Sequence, residues 1–149
     1  MYRYGACGLK NIWLVNGFTL HKTSYGKGVA IDDLDGLHQV IALNLVTTKH
    51  KLSGAELRFL RQEMKLSQAS LAVLLGNNMQ SIALWEKHGK LPVWADKFIR
   101  LIYLAHADDD QSIRNVVNRL NELDRSLNEK LVFTETKKGW KVAPQKMAA

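Results

Sequence analysis

The stretch Lys65 to Lys87, "KLSQASLAVLLGNNMQSIALWEK", constrains the fold more than any other part of the chain. Its apolar residues keep helical spacing, and "GNN" interrupts that spacing in the middle. Gly76 can take the left-handed conformation without a Cβ penalty, so a helix can end there at little cost. Ser67 and Asn78 each stand where a side-chain oxygen caps a helix start. The pattern therefore predicts two short helices joined by a tight turn, the second set across the first. Ala72 is small enough to let the second helix come close. Ile82 and Trp85, at i and i+3, face inward toward Leu71, Leu74 and Leu75. Met79, Gln80, Ala83, Leu84 and Lys87 are left for the outer side.

That outer stripe is an odd choice for a helix that merely meets water. It suits a DNA major groove, where Gln pairs bidentately with adenine and apolar side chains sit on thymine methyls. Charge points the same way. The 149 residues carry a formal charge of +7, which favours a polyanionic partner. The excess is +3 in residues 1–52, +3 in 53–106 and +1 in 107–149. The last segment is thus the least suited to electrostatic work.

The segment "LSQASLAVLLGNNMQSIALWEKHGK" resembles the Xre-type helix-turn-helix of lambdoid phage repressors and of many bacterial regulators and antitoxins. The resemblance rests on Leu66, Ser67, Gln68, Leu71, Ala72, Leu75, Gly76, Ser81, Ile82, Trp85 and Glu86, and covers residues 54–105. Asn78 stands where the family often has Ser or Thr. His88 stands where a glycine is common, with Gly89 one residue later, so the loop is expected to be longer. The chain with its added N-terminal region is also similar to the MqsA-like antitoxin group. Members of that group hold zinc with cysteines; with Cys7 alone, the zinc site does not carry over.

The resemblance implies a lambda-repressor-like helical domain and a role for each matched position. Met79, Gln80, Ser81 and Leu84 would contact bases, with Gln80 the foremost reader. Gln68, Asn78, Lys87 and Lys90 would contact the DNA backbone, Gln68 also through its helix N-terminus. Glu86 matches a buried or half-buried acid of the family, with Arg58 or Arg61 as its partner.

The rest of the chain gives a mainly α architecture with small β additions. Residues 1–52 form an N-terminal α+β region of unassigned role, with a hairpin over 9–31 and a helix capped by Asp33 or Asp35 that carries Leu34, Leu37, Ile41 and Leu45. "YGKG" at 25–28 reads as a turn. Residues 53–106 form the helix-turn-helix domain, with Leu57, Leu60 and Met64 on one face of its first helix and a last helix starting at Pro92. In 107–149, Ile113, Val116, Leu120, Leu123 and Leu127 keep a 3-4-3-4 spacing, which serves either an internal core or a dimer seam. A hairpin follows, with Lys138–Gly139 at its turn.

No acid pair, nucleophile set or metal set is recognisable, so neither catalysis nor a cofactor is expected. His21, His38, His50, His88 and His106 are scattered and read as surface or satisfied core residues. Cys7 reads as a passive thiol, and Asp108, Asp109 and Asp110 as helix-capping acids. Tyr2, Tyr4, Trp13 and Phe18 read as packing residues. No apolar run approaches the ~20 residues that span a bilayer, and a secretory signal is not expected, so the cytoplasm is the expected compartment.

These expectations converge on a sequence-specific regulator of double-stranded DNA, a dimeric repressor on a palindromic operator. The dimer contact would come from a helix expected over residues 108–130, the C-terminal hairpin or the N-terminal region. Two alternatives stand beside it. One is an antitoxin that represses its own operon and neutralises a toxin protein through residues 1–52. The other is a protein–protein adaptor that keeps the helices without using DNA.

Overall fold

The computed structural model describes residues 1–108, 115 and 132–143. Over these described residues the fold is mainly α, with three small antiparallel sheets of two strands each. Strands β1 (Tyr2–Arg3) and β2 (Trp13–Leu14) pair first, then β3 (Phe18–Thr23) and β4 (Gly26–Ile31). Among the described residues five helices follow: α1 (Leu34–Thr48), α2 (Gly54–Glu63), α3 (Gln68–Leu75), α4 (Met79–His88) and α5 (Val93–Ala107). Strands β5 (Phe133–Thr136) and β6 (Gly139–Val142) form the third sheet. The heptad-spaced residues 113–127 lie outside the described residues.

The helices start and stop where short polar side chains allow. Asp33 caps α1, settling the choice between Asp33 and Asp35, with its carboxylate accepting from Gly36 N at 3.2 Å. Ser53 and Glu56 form a reciprocal capping box at the start of α2. Ser67 accepts from Ser70 N, and Asn78 accepts from Ser81 N at 2.8 Å. Gly76 and Gly89 end α3 and α4 in the left-handed region.

One core runs through α1 to α5. Ile41, Leu45, Leu57, Leu60, Leu71, Ile82 and Ile99 are all buried in it. Thus α1, though it precedes residue 53, shares its core with the helices that follow. Its C-terminus is tied to α5 by Arg100, whose guanidinium donates to the carbonyls of Lys49 (2.6 Å), Val46 and Leu45. A cation there also meets the negative end of the α1 dipole. Asp96 holds the same guanidinium at 2.7 Å and accepts from Leu52 N.

Helix α2 buries more than the expected face. Leu57, Leu60 and Met64 point into the core, and Phe59 is buried as well. Near Phe59, the N-terminal segment docks through a short relay. The Glu63 carboxylate can only accept, so His38 Nδ1 donates to it at 2.7 Å, leaving Nε2 to accept from the Tyr4 hydroxyl at 2.7 Å. His38 is therefore a satisfied, half-buried residue. Burial raises the Tyr4 phenol above 10.0, with the nearby charges of Cys7, Glu63 and Tyr2 adding to the effect.

This has a pH consequence. A raised phenol stabilises the fold fully below pH ~10, and that contribution is lost as pH rises through the raised value. Tyr4→Phe is expected to cost about 1 kcal/mol near neutral pH through the lost hydrogen bond. The gap to wild type should then narrow above pH ~10, as the wild type alone loses the Tyr4 contribution. Urea melts between neutral and strongly alkaline pH measure it; a gap that widens would refute the assignment. Tyr103, also raised by burial, keeps part of the alkaline decline in both proteins.

Both long hairpins turn one residue earlier than their sequences suggested. The bend of the first is Ser24–Tyr25, while Gly26, Lys27 and Gly28 belong to β4 and are not a turn. The bend of the second is Lys137–Lys138, and Gly139 pairs with Thr136. The cause is the same in both. Thr23 donates to Gly26 O at 3.0 Å and accepts from Tyr25 N; Thr136 donates to Gly139 O at 2.8 Å and accepts from Lys138 N. The glycine after each turn has a positive φ, 125° and 112°.

Candidate nucleic-acid interface

Helices α3 and α4 are joined by three residues, Gly76, Asn77 and Asn78. The turn is tight because Gly76, at φ 65°, reverses the chain, and Asn77 N then reaches back to Ala72 O at 2.9 Å. Ala72 is buried between the helices, as its size predicted. Ile82 is fully buried, with Leu71 and Leu75, and Trp85 is half-buried beside Trp94 in an edge-on contact at 6.0 Å.

The opposite side of α4 is open. Met79 is 52% exposed and Leu84 54% exposed, and Gln80 and Lys87 are exposed with them. Ser81 is half-exposed at the edge, as is Ala83. Asn78 is exposed, but its side-chain oxygen is used as the cap. Lys90 lies apart from this stripe. It lines a cavity of about 660 Å³ with His50, Lys51 and Lys97.

Gln68 has a role inside the molecule. Its amide reaches Glu86 at 3.4 Å, so it links the start of α3 to the end of α4. Glu86 itself is gripped by Arg61: Nε donates to one carboxylate oxygen at 2.8 Å and Nη2 to the other at 3.0 Å. The partner is thus Arg61, while Arg58 is exposed. Arg61 also donates to Leu66 O at 3.0 Å, in the loop between α2 and α3. One guanidinium therefore fixes the angle of α4 against α2 and the loop that launches α3. The pair is nearly dry, with the side chains 12% and 6% exposed.

A second clamp lies at the same end of α4. Gly54, first residue of α2, lies so close to α4 that a Cβ there would meet Glu86 O at 2.2 Å and Trp85 O at 2.7 Å. The positive end of the α2 dipole thereby faces the carbonyls that end α4. Sequence reading missed this contact, although a glycine at a helix start beside a good cap is its one visible trace. It also missed Lys65, which sits at φ 56°, a conformation uncommon for a residue with a Cβ.

Among the described residues, no group of three or more His, Cys, Asp or Glu could hold a metal, and no helix is long and apolar enough to cross a membrane. No family model, no curated protein and no solved structure matches the chain.

Proposed function

We propose that this protein is a sequence-specific double-stranded DNA-binding transcriptional regulator with a lambda-repressor-like domain. It acts as a dimeric repressor that reads a palindromic operator with α4. The observation that carries the reading is the split character of α4. Ile82 is locked in the core while Met79, Gln80 and Leu84 stand open beside Lys87. A helix held that firmly on one side and left apolar and amide-bearing on the other is suited to a groove. Lys87 supplies a phosphate contact at the end of the stripe, and Lys90 a further one beyond it. Gln68 reaches the backbone through its helix N-terminus, its side chain being engaged with Glu86.

Selection of bound duplexes from a random pool tests the reading. A palindromic motif with half-sites about one helical turn apart is the expected result. Recovery of no motif would remove the proposal and leave the adaptor. Gln80→Ala is expected to lose about 1–3 kcal/mol of discrimination at one base pair per half-site. Equal preference for that base in wild type and variant would take Gln80 out of the recognition set.

A further inference from the structure

The β3–β4 hairpin has no task in the reading above. From Phe18 to Ile31 it carries Lys22, Lys27 and His21 and no acid. Register places Lys22 directly opposite Lys27, next to the turn. Like charges facing each other across a hairpin destabilise it. A two-stranded hairpin is also marginal on its own in water. Among the described residues this one packs at its base, where Phe18 meets the Tyr2 ring at 5.2 Å and Asp32 N bonds Gly17 O. Phe18, Val29 and Ile31 are half-buried, while residues 19–28 are all exposed and Tyr25 is 99% exposed. Alternation puts Lys22 and Lys27 on the face that carries Phe18, Leu20, Val29 and Ile31. The lysines thus continue the face that docks at its base, out beyond the part that is packed.

The hairpin also starts from a telling place. It runs through Asp32 and Asp33 into α1, and the first turns of α1 are bonded by His38 to Glu63 at the end of α2. Ser67, which caps α3, follows four residues after Glu63. The hairpin base and the start of α3 therefore share one end of the helical body.

We propose that the β3–β4 hairpin is a second DNA contact, an arm whose Lys22 and Lys27 take backbone phosphates flanking the site read by α4. This rests on the DNA-binding reading. A phosphate between the two lysines would turn their repulsion into attraction and order the arm. The contact carries no base preference, since phosphates are alike in every sequence.

The test compares the full-length wild type with Lys22→Gln/Lys27→Gln and Lys22→Arg/Lys27→Arg on the selected duplex, across a salt series. The proposed dimer carries both lysines on each of its two arms, so the Gln variant removes four phosphate contacts and should lower the slope of log affinity against log salt by about 4. Preference for the motif over a scrambled duplex should stay unchanged, and the Arg variant should keep the wild-type slope. Melting of the Gln variant at or above the wild-type temperature shows that the fold is intact. An unchanged slope in the Gln variant overturns the arm and leaves these lysines to a protein partner. Gln80→Ala separates the two readings, because it should lose preference and keep the slope. A wild type that binds no duplex overturns both.

Discussion

Glu86→Ala is expected to lower the unfolding free energy by about 3–5 kcal/mol, a large share of what holds a domain of this size together. The reason is what the substitution leaves behind. Arg61 would remain nearly dry, with Leu66 O as its remaining acceptor among the described residues, and a guanidinium cannot shed its proton. Gln68 would lose its partner on α4 in the same step. Arg61→Ala should cost a similar amount by stranding the Glu86 carboxylate. Removing both charges together, as Arg61→Met/Glu86→Leu, should cost much less than either single change, because no buried charge is left unpaired. Urea denaturation of wild type, Arg61→Met, Glu86→Leu and the double variant closes a double-mutant cycle with a large coupling. Single losses under ~1 kcal/mol would place the pair with ordinary surface ion pairs and undo its role as the clamp on α4. If the protein binds DNA as proposed, Glu86→Ala should bind it less tightly at temperatures where it is still folded, since α4 has then lost its polar tie to α2.

The helical frame was legible because its signals are local. Ser67, Gly76, Asn78 and Gly89 mark ends through their own backbone and cap chemistry, and each does in the structure what its residue type implies. The inward and outward sides of α4 followed from a period of 3.6 residues. The Arg61–Glu86 pair was half legible: Glu86 needed a cation, but only the fold decides between Arg58 and Arg61. Contacts made across long sequence separations left almost no trace. Phe59 is buried with the His38 ring of α1 at 5.3 Å, and Tyr4 and His38 are joined across a separation that no periodicity encodes. Arg100 reads as a polar residue on an amphipathic helix, yet its guanidinium closes the end of α1. The hairpin turns were misplaced by one residue because glycine was taken as the turn itself. The threonine hydroxyl before each turn decides the register.

Gly54→Ala carries the clearest conflict between a local rule and the tertiary structure. Judged on α2 alone, alanine in place of glycine should stabilise, by up to ~1 kcal/mol. Gly54 has no positive φ, so the backbone conformation raises no objection. The objection comes from α4. The new methyl would fall 2.2 Å from Glu86 O, 2.7 Å from Trp85 O and 2.8 Å from Glu86 C, all backbone atoms at the end of a helix. No rotamer change can clear them, so the two helices must separate. We expect a net loss of about 3 kcal/mol, at the upper end of what overpacking costs. Gly36 provides the contrast. A Cβ there would meet only the carboxylate of Asp33, which can swing away at about 1 kcal/mol, the worth of the cap. Thermal melts of both variants decide the matter, with Gly54→Ala the more damaged. A Gly54→Ala protein as stable as wild type would mean that α2 and α4 do not meet backbone to backbone, and the angle of α4 would then rest on the Arg61–Glu86 pair. If the protein binds DNA as proposed, affinity should follow stability here, because separating the helices moves the end of α4 that carries Lys87.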